Sequence, residues 1–87
     1  MTPEQCRAAR AWLNMNQAQL AEAAGTALST VKDFEGGRRR PIANNLAAIQ
    51  AALETRGIDF FEKDGTTGIT FSSAAVAKHA VDGDGKS

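Results

Sequence analysis

Apolar positions along this chain fall into four stretches of helical spacing followed by one that alternates. Cys6, Ala9 and Leu13 lie three or four apart, with Met15 just beyond, so they share one face of a helix. Thr2-Pro3-Glu4-Gln5 reads as its start: threonine caps, proline suits the first helical position and Gln5 completes a capping box. The predicted first helix runs to about Leu13. Asn16 caps a second, Gln17 to Ala24, in which Leu20 and Ala24 face inward and Ala21 is small where another helix crosses. Gly25 stops it. Val31 and Phe34 form the inner face of a third helix, from about Leu28 to Glu35. Leu46, Ile49 and Leu53, with Ala52 beside them, define the longest amphipathic helix, which begins near 42–45 and closes at Gly57.

Between the third and fourth helices, Gly36-Gly37-Arg38-Arg39-Arg40-Pro41 is a loop, because paired glycines break the helix and Pro41 keeps Arg40 extended. After Gly57 the pattern changes to IDFFEK, DGTTG and ITFS, in which aromatic and β-branched residues flank a turn-rich centre. This predicts a β-hairpin, with Ile58 and Phe60 sharing a face, as do Ile69 and Phe71. An isolated hairpin is marginal in water, so it must pack on the helices or pair with another chain. The predicted fold is mostly α, a compact four-helix domain over 1–57, a C-terminal β-hairpin over 58–72 and a flexible tail over 73–87 ending in DGDGKS.

Composition supports a single small domain. Eighty-seven residues, 43% of them hydrophobic but only 6% aromatic, favour close-packed short helices rich in alanine. The formal charge is zero, yet residues 1–56 carry seven Lys and Arg against five Asp and Glu, and 57–87 carry three against five. Basic charge therefore sits with the helices, and screening beyond about 8 Å keeps the acidic end from cancelling it. Cys6 is the single cysteine, which excludes an intramolecular disulfide and a zinc-finger ligand set and fits a reducing, cytoplasmic location. It reads as a small core residue. No apolar run is long enough to span a bilayer, so no membrane association is expected. His79 has no neighbouring ligands, and no nucleophile, acid–base or metal constellation is visible, so neither catalysis nor a cofactor is expected.

The stretch QAQLAEAAGTALSTVKDFE, residues 17–35, suits two short helices crossing at a tight turn, with the second placed to enter a DNA major groove. Its outward positions are Leu28, Ser29, Lys32 and Asp33. Leu28 suits a thymine methyl, Ser29 a base or a phosphate, Lys32 the acceptors of guanine, and Asp33 a cytosine amine or the orientation of Lys32. The plain alternative is a solvated helix surface. Arg38, Arg39 and Arg40 follow where a duplex backbone would run, and Asn44 and Asn45 lie at the start of the fourth helix, so these are candidate phosphate contacts.

From Arg10 to Pro41 the chain resembles the phage-repressor and Cro-like, or XRE-type, helix-turn-helix family. The matching pieces are Arg10, Gln17, Leu20-Ala21, Ala24-Gly25, Thr30-Val31, Phe34-Glu35, Gly37, the basic loop and Pro41. The resemblance implies a sequence-specific regulator of transcription, a repressor, that binds double-stranded DNA. It also implies phosphate contacts from Gln17 and Thr30, and a structural ion pair between Arg10 and Glu35 beneath the recognition helix. Two departures stand out. Thr26-Ala27 replaces the usual valine and serine, which removes a side-chain cap worth about 1 kcal/mol, and the hairpin replaces the family's fifth helix. A homodimer is expected, with Phe60, Phe61, Ile69 and Phe71 as its candidate surface, because an open strand edge invites pairing. Trp12 lies off the main stripe of the first helix and is expected under the hairpin, or otherwise at the dimer contact. The rival reading is a protein-interaction module, such as an antitoxin or adaptor, with a protein partner in place of DNA.

Overall fold

The computed structural model describes residues 1–73. Its elements are α1 (Pro3–Leu13), α2 (Gln17–Ala24), α3 (Leu28–Glu35), α4 (Ala43–Glu54), β1 (Ile58–Lys63) and β2 (Thr66–Phe71). The tail expected over 73–87, with His79, lies outside the described residues except for Ser73.

Local chemistry explains the helix ends. Thr2 Oγ1 accepts from the Gln5 amide at 3.1 Å, and Gln5 Oε1 accepts from the Thr2 amide at 2.8 Å, so α1 opens on a complete capping box. Asn16 and Gln19 repeat the device at α2, with bonds of 2.7 and 2.8 Å. Gly25, at φ +69°, reverses the chain and lets the Thr26 amide donate to Ala21 O at 2.9 Å. Ala27 is extended and makes no side-chain cap bond, yet α3 still begins at Leu28. The other end of α3 is a Schellman stop: Gly37 at φ +72° donates to Phe34 O, and Arg38 donates to Asp33 O.

The helices bury one face each. Leu20, Val31, Ile49 and Leu53 are fully buried, and Cys6, Ala9, Ala21, Phe34, Ala52 and Ile58 complete the core. Each large aliphatic side chain contributes about 1.5–3 kcal/mol on burial. Ala21 of α2 and Ala52 of α4 are small members of this core, which lets α2 lie close against α3 and α4.

The hairpin folds onto α1 and α4. Its turn is Asp64-Gly65, both at positive φ (54° and 78°), the type I′ geometry that matches strand twist. Register pairs Ile58 with Phe71 and Phe60 with Ile69, so all four apolar side chains share the inward face. Ile58 is buried, and Phe60 and Ile69 pack against the core. Phe61 pairs with Gly68 on the outer face, where its ring lies so close that a β-carbon at 68 would meet Cζ at 2.8 Å. Gln5 fixes this pair to α1, since its Nε2 donates to Phe61 O at 3.0 Å and to Gly68 O at 2.8 Å. Trp12 does not lie beneath the hairpin. It leans against Phe71 with ring centroids 5.7 Å apart and stays 62% exposed, beside a ring that is itself 40% exposed.

Candidate nucleic-acid interface

The position of α3 is set from below by one carboxylate. Glu35 is 3% exposed and accepts from Arg10 Nε at 2.6 Å, Arg10 Nη2 at 2.7 Å, Gln17 Nε2 at 2.9 Å and Cys6 Sγ at 3.2 Å. Arg10 also donates to Met15 O at 3.0 Å, in the α1–α2 turn, and Arg7 donates to the Glu35 carbonyl. Two helices, α1 and α2, therefore converge on the last residue of α3, and Arg10 ties the turn between them to the same point. Burial pushes the Glu35 carboxyl up, but the bonds from Arg10, Gln17 and Cys6 outweigh it and hold the group below the usual carboxylate range. Hydrogen bonding to Glu35 pushes Arg10 up in turn, against its partial burial. Burial first, and the Glu35 contact second, push the Cys6 thiol up, so it remains a protonated donor.

With its inner face fixed by Val31, Phe34 and Glu35, α3 turns the opposite face to solvent. Leu28, Ser29 and Lys32 are exposed, and Asp33 is partly so. A groove of about 220 Å³ runs beside them, lined by Ser29, Thr30 and Asp33 of α3, Arg39, Arg40 and Pro41 of the loop, and Ile42 and Asn45 at the start of α4. Two candidate base-reading residues, one threonine and two arginines from separate segments thus face one concave strip.

Other candidates have different surroundings. Leu28 and Lys32 lie on the neighbouring ridge of α3, outside the groove. Arg38 folds back over the end of α3, donating to Asp33 Oδ1 at 3.2 Å and to Lys32 O at 3.3 Å, so Asp33 faces Arg38, and among the described residues no ion pair orients the Lys32 side chain. Gln17 sends its amide to Glu35, which makes it part of the support beneath α3. Asn44 is exposed and does not line the groove, whereas Asn45 does. The ion pair of Arg10 and Glu35 has the place the resemblance implied.

Three features of the structure have little or no signal in the sequence. Arg7 and the hairpin-holding role of Gln5 depend on partners 28 or more positions away, and only the cap role of Gln5 has a local signal. Ile42, the N-cap of α4, is 70% exposed on the rim of the groove, and an apolar residue flanking a helix carries no local mark of that exposure.

Comparison with known proteins agrees with this architecture. The family model described as Helix-turn-helix matches residues 7–61. The chain belongs to the XRE-type helix-turn-helix family, a DNA-binding family. Over 56 residues it is 43% identical to an uncharacterized HTH-type transcriptional regulator, y4aM, of Sinorhizobium fredii (strain NBRC 101917 / NGR234). That match covers 64% of this chain and 39% of the relative, so the chain spans well under half of the relative's length. No helix among the described residues is long and apolar enough to cross a membrane.

Proposed function

We propose that this protein is a DNA-binding regulator of transcription that inserts α3 into the major groove and acts as a repressor by occupying its site as a homodimer. The observation that carries this reading is the groove in which Ser29, Thr30 and Asp33 face Arg39 and Arg40. Side chains able to contact base edges line the same groove as two cations able to hold phosphates, the division of labour that positions and specifies a duplex. In this reading Leu28, Ser29, Lys32 and Asp33 contact bases, and Thr30, Arg39 and Arg40 hold phosphates. Arg38 and Asn44 add charge or amide contacts at the flanks, and Gln17 offers its backbone N–H at the start of α2 while its side chain supports Glu35. The hairpin joins the two copies through the side of β1 that carries Phe61. Of the four residues expected at that surface, Phe60 and Ile69 instead pack inward on the core and Phe71 rests against Trp12.

Selection of bound sites from a random duplex library tests the proposal, with a palindromic consensus as the expected result. Affinity for that site falls steeply between about 50 and 200 mM salt, and each lost phosphate contact lowers the logarithmic salt slope by about 0.9. Arg39→Ala lowers the slope for every sequence, whereas Lys32→Ala relaxes the preference at one base pair. No enrichment, or binding indifferent to salt, overturns the reading. One observation favours a second role as a protein-interaction module: Trp12, Phe61 and Phe71 are exposed around the hairpin. A stoichiometric protein partner in the absence of DNA binding supports that alternative.

A further inference from the structure

The hairpin has two free edges, and they differ. The two-residue turn closes on Lys63 and Thr66, which makes 63/66, 61/68 and 59/70 the hydrogen-bonded pairs. The amides and carbonyls of Phe60 and Glu62 therefore point away from β2, and those of Thr67 and Ile69 point away from β1. Beside β2 stands the first half of α1, leaving a slot lined by Thr2, Glu4, Gln5 and Ala8. Past Phe60, β1 is exposed along its length. Along the outer face of β1, side chains alternate Asp59, Phe61, Lys63, an acid and a base placed symmetrically about an exposed ring. Neither charge has an ion pair within the described residues.

We propose that β1 pairs antiparallel with β1 of a second copy about a two-fold axis at Phe61, forming a four-stranded sheet; this rests on the homodimer reading above. The pattern selects the register. With Phe61 opposite the partner's Phe61, Asp59 lies opposite the partner's Lys63 and Lys63 opposite the partner's Asp59. All three are non-hydrogen-bonded pairs, where facing side chains approach most closely. The bonds run between Phe60 and the partner's Glu62, whose amides and carbonyls already point outward. A shift that centres the axis on Phe60 puts each aspartate against a phenylalanine, and one that centres it on Glu62 puts two glutamates together. Both alternatives discard the charge match. The pairing also covers the open edge beside Phe61, whose ring lies over Gly68 of its own β2, and an isologous contact of this kind closes after two copies.

Charge exchange tests the register on the full chain by analytical ultracentrifugation at low salt. Asp59→Lys places two lysines opposite two lysines and Lys63→Asp places aspartates opposite aspartates, so each variant alone dimerises at least tenfold more weakly than the wild type. Mixing the two restores a heterodimer with both contacts complementary, and the double variant D59K/K63D restores the homodimer. Phe61→Cys adds a positional test, because Cα atoms about 4.5 Å apart at such a pair fall within disulfide range. It cross-links on oxidation, and Thr70→Cys, on the other strand, does not. Single charge variants that dimerise like the wild type, with no Phe61→Cys cross-link, overturn this edge and register while the homodimer stands. A wild-type chain that stays monomeric at all concentrations overturns the homodimer itself.

Discussion

Glu35 couples the interior to α3 through a single carboxylate shared by Arg10, Gln17 and Cys6. Removing one partner leaves the other buried charge uncompensated, which costs about 3–5 kcal/mol for fully buried pairs. Arg10 keeps 18% of its side-chain exposure, so Arg10→Ala is expected toward the lower end of that range in urea unfolding. The same group gives a pH dependence of definite sign. Because its folded pKa lies below the unfolded value, the stabilisation is complete above the unfolded pKa of about 4.5 and is lost as the pH falls through the folded value. The stability difference between wild type and Glu35→Gln, measured by thermal melts, therefore shrinks on acidification below about pH 4.5. A difference that stays constant down to pH 3, or about that value, shows that the carboxylate is not held in its charged form.

At the level of elements, α3 is the one helix of the turn motif whose start lacks a side-chain cap. Ala27 already has an extended backbone, so Ala27→Ser gains the missing bond without strain and raises stability by about 0.5–1 kcal/mol in denaturant titration. Unchanged or lower stability means that the α3 start already satisfies its free amides by other means. The hairpin is an element of a different kind, because α1 holds it through the side chain of Gln5. Gln5→Ala removes two bonds to the hairpin and half of the α1 capping box, at a cost of about 1–3 kcal/mol. It also speeds hydrogen exchange along β2 and changes the emission of Trp12, the single tryptophan, whose ring rests on Phe71. Exchange that stays as slow as in the wild type assigns the docking to Ile58, Phe60 and Ile69 alone.

For the whole molecule, a chain of this size presents one α3 and so reads few base pairs, which is why the proposed regulator works in pairs. In the proposed homodimer, two copies related by a two-fold axis place their α3 helices in successive major grooves on one face of the duplex, and the expected consensus has half-sites about 34 Å apart. DNA binding that is cooperative in protein concentration, and protection of both half-sites in footprinting, are the expected measurements. A single unrepeated half-site at full affinity instead describes a monomeric reader.

Helical spacing at Leu20, Val31, Phe34, Ile49 and Leu53, and the stops at Gly25 and Gly37, are properties of nearby residues, so the sequence by itself determined the helices, their ends and the turn. The turn-rich centre DGTTG and the alternation of Ile58, Phe60, Ile69 and Phe71 likewise announced the hairpin, while the structure narrows the turn to Asp64-Gly65 and carries β2 back to Thr66. The ion pair beneath α3 was legible through family resemblance, although Arg10 and Glu35 are 25 positions apart. Only the tertiary structure decided what Gln17 and Arg38 touch, that Gln5 holds the hairpin, that Trp12 stays exposed, and that Asn45 and not Asn44 lines the groove. The physical reason is that a polar side chain carries no periodic signature of its partner. Whether it faces solvent, a carboxylate or a carbonyl is settled when distant segments pack together, after local spacing has fixed which faces turn inward.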